Sequence, residues 1–220
     1  MKKILTISLL VFVVATTGCS INHPVAIDYD QHLVKYGSET TLPKTELESE
    51  YLIGAKTKNH NYQFRAVSVG YAHVWIVEFG KILDKTVNSD YVQAAFGKLY
   101  KSLGGAVSNG NLIEFELENF EFKNYRAYTS LRIKVKNDGK EIFNKTYRSE
   151  GGLQGGQMWG LGPFGMKNAT LKSIKQSIDK ILKQFIDDIN ECKLALKQPC
   201  LIGIGRRSSG TLPQHQTYGS

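Results

Sequence analysis

Apolar and polar residues alternate most regularly between residues 112 and 136. In LIEFELENFEF, Ile113, Phe115 and Leu117 point one way and Glu114, Glu116 and Glu118 the other, the period-two pattern of a half-buried strand. Phe120 and Phe122 break that phase, which places a bulge near Asn119. A second strand is expected from about Tyr125 to Lys136, with Ala127, Thr129, Leu131, Ile133 and Val135 inside. Arg126, Arg132 and Lys134 lie on its outer face with Tyr128. Asp138-Gly139 forms a hairpin tip, and EIFNKTYR returns as the partner strand. The acidic row of one strand then meets the basic row of its neighbour. Such exposed pairs contribute about 0.2–1 kcal/mol each, so they set register more than stability.

Upstream, YQFRAVSV carries Phe64, Val67 and Val69 and reads as a strand broken at Gly70, and HVWIVEF continues as strand. The period then changes. Leu83, Val87, Tyr91, Ala94, Ala95, Leu99 and Leu103 predict one amphipathic helix over about residues 80–103, stopped by Gly104 and Gly105. An alternative starts that helix at Ala72, because Trp75, Phe79, Ile82 and Leu83 also fit helical spacing. A terminal helix carries the stripe Leu171, Ile174, Ile178, Ile181, Leu182, Phe185 and Ile189, with Asn168 as N-cap. Before it, GGLQGGQMWGLGPFG, residues 151–165, reads as a glycine-rich connection. The expected fold is α+β: an antiparallel sheet of about four to five strands packed against two amphipathic helices. It forms one domain over residues 62–200, followed by a flexible tail at 201–220. Residues 19–61 contain Pro24, Pro43 and a long polar stretch and are expected to be a tether and irregular lead-in, with PVAIDY as one short strand.

The start of the chain changes the picture. Lys2 and Lys3 precede the mostly apolar run Ile4–Ala15, and small residues follow. This is the anatomy of a secretory signal peptide over residues 1–18. The run is too short to span a bilayer, which takes about 20 residues. Thr16, Thr17, Gly18 and Cys19 resemble a bacterial lipobox, with Thr16 in the place usually held by Leu. The resemblance implies that Cys19 becomes the first mature residue and carries a thioether-linked diacylglycerol and further acyl chains such as palmitate. Several chains anchor stably where one is marginal. By analogy with Gram-negative sorting, Ser20 favours the outer membrane, with the domain facing the periplasm.

A chain of 220 residues with 41% hydrophobic content supports one domain with a real core. The formal charge is +8; residues 1–18 hold Lys2, Lys3 and no acid, so the mature chain carries +6. That excess suits anionic headgroups or lipopolysaccharide phosphates, although it also serves solubility alone. No dense basic run points to nucleic acid. With Cys19 lipidated, Cys192 and Cys200 remain, an even number in an oxidising compartment, and one disulfide between them is expected.

Motifs for chemistry are weak. GLGPFG, residues 160–165, matches GxGxxG, but neither the strand before it nor the acid-ending strand after it is present. His23, His32, His60, His73 and His215 show no metal-ligand spacing, and no nucleophile elbow occurs. No catalytic residue, metal or cofactor is assigned. Met158, Trp159, Leu161, Phe164 and Met166 among the glycines have two readings: core cover, or an apolar surface for lipid, peptide or another subunit. Met158, Trp159 and Phe164 are the candidate partner-binding residues.

The order of cysteine, tether, strand, helix, meander ending in GKEIFNKTY, glycine-rich segment and terminal helix resembles small periplasmic lipoproteins of the ABC-type transport auxiliary kind. The similarity covers about residues 62–190 and is one of pattern, with no site motif to transfer. It implies a non-enzymatic accessory lipoprotein docking on an envelope complex. The alternatives are a module binding a lipid, glycan or peptide, and a periplasmic hydrolase.

Overall fold

The structure, a computed structural model, describes residues 20–68, 71–102 and 110–195. Side chains are described except at Ser38 and at positions 66–68, 71–72, 157–164 and 193–195. The strands are β1 (Ser20–Pro24), β2 (Ser49–Ile53), β3 (Asn61–Ser68), β4 (Tyr71–Glu78), β5 (Leu99–Lys101), β6 (Asn111–Lys123), β7 (Arg126–Asn137) and β8 (Lys140–Glu150). The helices are α1 (Tyr29–Tyr36), α2 (Ala55–Lys58), α3 (Phe79–Val87), α4 (Asp90–Phe96) and α5 (Gly155–Ala195). Two 3-10 turns, Val25–Asp28 and Gly37–Glu39, flank α1.

The class is α+β, but the sheet is not single and not purely antiparallel. One sheet has the order β1-β4-β3 and the other β5-β2-β6-β7-β8. β1 lies parallel to β4, and β2 lies parallel to both β5 and β6. The meander β6-β7-β8 is antiparallel and follows its alternation. Ile113, Phe115, Leu131, Ile133 and Val135 are buried, and Glu114, Glu116 and Glu118 pair with Lys136, Lys134 and Arg132 on the outer face. The register slips between Leu117 and Asn119, so Phe120 and Phe122 return to the inner face instead of swapping sides. There they meet the other sheet. Phe122 stacks on Phe64 at 4.9 Å, and Phe120 packs edge-on to Tyr62 at 5.3 Å. Asp138 and Gly139 both take positive φ at the hairpin tip, as a tight two-residue turn requires.

The first correction concerns residues 19–61. From Ser20 onward they are not an irregular lead-in: they supply two strands, two helices and both 3-10 turns. Val25, Tyr29 and Tyr51 are wholly buried. PVAIDY is the entry into a 3-10 turn and α1, not a strand, apart from Pro24 at the end of β1. Each element is short, and the strands find their partners far along the chain, so local periodicity is faint.

The second correction concerns residues 72–103. Residues 71–78 form β4, which removes the early helix start, and the long helix divides into α3, α4 and β5. Side chains take the carbonyls where α3 ends: Asn88 Nδ2 donates to Asp84 O at 2.9 Å and Gln93 Nε2 to Val87 O at 2.9 Å. Gly97, at φ +75°, ends α4 in the left-handed region that favours glycine.

The third correction concerns the glycine-rich segment. From Gly155 onward it is helical, so Asn168 is an exposed mid-helix residue and not an N-cap. Five glycines and Pro163 lie within residues 155–165. Intrinsic propensity opposes a helix here by about 1 kcal/mol per glycine and about 3 for proline. The predicted stripe from Leu171 to Ile189 is buried against β7 and β8 and anchors the helix. Polar side chains fix its height on the sheet. Ser173 Oγ accepts from Ala127 N at 2.9 Å and donates to Gly152 O at 3.1 Å, and Thr129 and Ser177 hydroxyls meet at 2.8 Å. A Cβ at Gly151 would lie 2.0 Å from Ser173 O, so α5 approaches this backbone as closely as glycine allows.

Candidate functional site

The chain's unassigned polar and aromatic groups gather where β1, α1 and α5 meet. β1 is an edge strand, paired with β4 from Ser20↔Ala72 to Pro24↔Ile76. His23 sits opposite Trp75 in that register and stacks on its ring at 4.3 Å. Its Nε2 lies 2.8 Å from His73 Nδ1. One of these nitrogens must carry the proton and the other a lone pair, so the bond needs at least one neutral ring. Burial, then His73, then Lys167 lower the His23 pKa. The stack continues from Trp75 to Phe64 and on to Phe122, which ties β1 to the core.

After β1, the 3-10 turn carries Asp28, which pairs with Lys167 of α5. On α1, Asp30 pairs with Lys85 of α3 at 2.6 Å, and Lys85 also donates to Ala26 O at 3.1 Å. Tyr29 is buried, and its hydroxyl lies 2.8 Å from Thr86 Oγ1. Thr86 already donates to Ile82 O, so Tyr29 is the donor of that contact. These bonds fix α1 to α3 on one side and leave its other side to α5.

On the α5 side lies a buried ionic cluster. Lys175 Nζ donates to Asp179 Oδ2 at 2.6 Å and to Thr40 Oγ1 at 2.9 Å. Thr40 donates to Asp179 Oδ2 and Tyr91 donates to Asp179 Oδ1, both at 2.6 Å. Lys175 Nζ also sits 4.6 Å from the Tyr91 ring centroid. Burial, reinforced by Asp179, drives the Tyr91 pKa far up and keeps it a donor. The cluster thus joins three separate parts of the chain through satisfied groups.

Beside it, His32 is buried and its Nε2 has no hydrogen-bond partner among the described residues. Burial, and then the positive charges of Lys175, Lys172 and Lys35, lower its pKa to about 4. The His32 ring lies 4.6 Å from that of Tyr36. Lys35 and Lys172 both approach the same Tyr36 ring, at 5.1 and 5.6 Å. Among the described residues neither lysine has a carboxylate within ion-pair distance.

Of the expected site residues, Cys19 and Cys200 lie outside the described residues. Cys192 is buried on α5. The backbone of Met158, Trp159 and Phe164 belongs to the first turns of α5, while their side chains lie outside the description. What sequence reasoning missed is the set His23, His73, Lys35, Tyr36, Lys172, Lys175 and Asp179. One signal was present: Leu171, Lys175, Ile178 and Leu182 recur at helical spacing, which puts a lysine on an apolar face. Among the described residues no three His, Cys, Asp or Glu side chains gather as a metal-holding group, and no helix is long and apolar enough to cross a membrane.

No family model matches the sequence, and no curated protein matches it. Among solved structures, the chain is similar to the crystal structure of protein XCC0632 from Xanthomonas campestris, family-model DUF330. The TM-score is 0.46 with 10% identity, and the match covers 70% of this chain and 94% of that one.

Proposed function

We propose that the chain is a lipid-anchored accessory protein of the bacterial envelope. It is held at Cys19, faces the periplasm from the outer membrane and docks without catalysis on a membrane transport or assembly complex. The position of Ser20 supports this reading. Ser20, the residue after Cys19, is already paired with Ala72 in β1, so the described fold reaches up to the lipobox-like stretch. The resemblance to ABC-type transport auxiliary lipoproteins supplies the class of partner. Met158, Trp159 and Phe164 on the first turns of α5 are the proposed anchors, and a Cys192–Cys200 disulfide closes the end of that helix.

Two measurements on intact envelopes test the reading. Fatty-acid labelling should mark the wild-type protein, and Cys19→Ser should leave an unlabelled precursor. Crosslinking should capture an envelope complex, and Ser at 158, 159 and 164 should lose it with little change in melting temperature. Normal labelling of Cys19→Ser rejects the anchor. Unchanged capture by a folded triple variant rejects the docking surface. Labelled protein that captures no complex would leave the ligand-binding alternative for a lipid, glycan or peptide.

A further inference from the structure

We infer that the edge formed by β1, the following 3-10 turn and α1, together with Lys172 of α5, lies against the anionic headgroup layer of the membrane that holds the anchor. This inference rests on the lipid-anchor reading and adds an orientation to it.

The argument begins with reach. A flexible leash of about 40 residues would have a typical span of roughly 35 Å and would leave the domain's orientation free. The fold leaves no such leash, because Ser20 is already paired to Ala72. Consecutive Cα atoms are about 3.8 Å apart, so a lipid on the preceding residue holds β1 at the membrane surface.

Surface composition points the same way. The large apolar residues that remain exposed include Ile21, Ile27 and Val34, all within fifteen residues of Ser20. Val34 is 88% exposed and Ile27 66%. Ile27 in the 3-10 turn, and Gln31 and Val34 on α1, are all exposed. Single exposed apolar residues are ordinary, but two such residues beside an acyl anchor suit interfacial contact.

Charge completes the match. Asp28 and Asp30 are neutralised by Lys167 and Lys85. Among the described residues Lys35 and Lys172 have no carboxylate within ion-pair distance; both lie over Tyr36, with Glu39 as the exposed acid in the next turn. Lysines near a surface, beside an aromatic ring, suit phosphates of anionic lipid.

The test uses the full lipidated protein reconstituted in vesicles of phosphatidylethanolamine and phosphatidylglycerol. A nitroxide is placed at Val34→Cys in a Cys200→Ser background, with Lys140→Cys at the β7–β8 turn as control. The Val34 probe should be shielded from a water-soluble relaxant and open to dissolved oxygen, while the Lys140 probe stays open to the aqueous reagent. Lys35→Glu with Lys172→Glu should return the Val34 probe towards water several-fold. A Val34 probe as water-accessible as the control overturns the inference. Shielding from both reagents indicates contact with another copy of the chain and overturns it too. Fatty-acid labelling, run in parallel, separates the two readings: labelled protein with a water-exposed Val34 defeats the orientation alone, and unlabelled protein defeats the anchor.

Discussion

Lys175 and Asp179 meet at 2.6 Å, one helical turn apart on α5, with both side chains almost wholly buried. Thr40 and Tyr91 use the remaining oxygen capacity of Asp179, so the carboxylate is held by three donors. A buried pair of this kind gains little net stability over apolar residues, but breaking one half leaves an uncompensated charge. Lys175→Met should therefore destabilise the fold by about 3–5 kcal/mol. The double change Lys175→Met with Asp179→Leu should recover much of that loss. Denaturant unfolding of both variants checks it; equal losses in the two would show that the penalty is not an orphaned charge.

The depressed histidines set an acid limit on stability. His32 has a folded pKa of about 4 against the ordinary value of 6.5, because burial and three lysines disfavour its charged form. Above pH 6.5 both folded and unfolded rings are neutral and the group has no effect on stability. As pH falls below 6.5, the unfolded chain takes up the proton first, so stability is lost down to about pH 4. Between pH 6.5 and 5, above most carboxylate titration, His32 should contribute a loss of about 2 kcal/mol. His23 shifts in the same direction. His32→Leu should flatten the slope in that window, measured as unfolding free energy against pH. An unchanged slope would remove His32 as its source.

Gly151 has no room for a side chain. Its Cβ would meet Ser173 O at 2.0 Å and Ser173 Oγ at 2.2 Å, while its N–H donates to Ala127 O at 2.8 Å. Alanine here must push α5 off the end of β7. We expect Gly151→Ala to lower stability by about 1–3 kcal/mol, the usual range for overpacking, whereas Gly156→Ala, with open space around its Cβ, should raise it slightly. Thermal unfolding of the two variants side by side distinguishes local crowding from a general effect of losing glycine.

The two ends of α5 should differ in stability although they form one helix. Residues 171–189 are fixed by a buried stripe, while 155–165 hold five glycines and Pro163. Amide exchange should be globally protected in the first group and faster by orders of magnitude in the second, because local opening there breaks bonds that propensity already disfavours. Equal protection along the helix would mean that tertiary packing fully offsets the glycine penalty.

The sequence by itself determined the meander, the bulge, the hairpin tip and the buried stripe from Leu171 to Ile189. Each is written within one element, as a period of two or 3.6, because one face of that element meets core and the other meets water. The cross-strand ion rows were legible for the same reason. Only the tertiary structure decided the rest. β1 pairs with β4 about fifty residues away, and β2 enters the sheet beside β6 some sixty residues on, so neither parallel pairing leaves a local signature. Local spacing alone carried a helix through Gly97 to Leu99, where β2 instead takes Leu99 as a strand partner. Packing of the apolar stripe extended a helix back through glycines that would not form one alone. A lysine on a buried face became tolerable only because Asp179, Thr40 and Tyr91, from three parts of the chain, converge beside it. Those outcomes rest on free energy shared between distant segments, which no window of sequence contains.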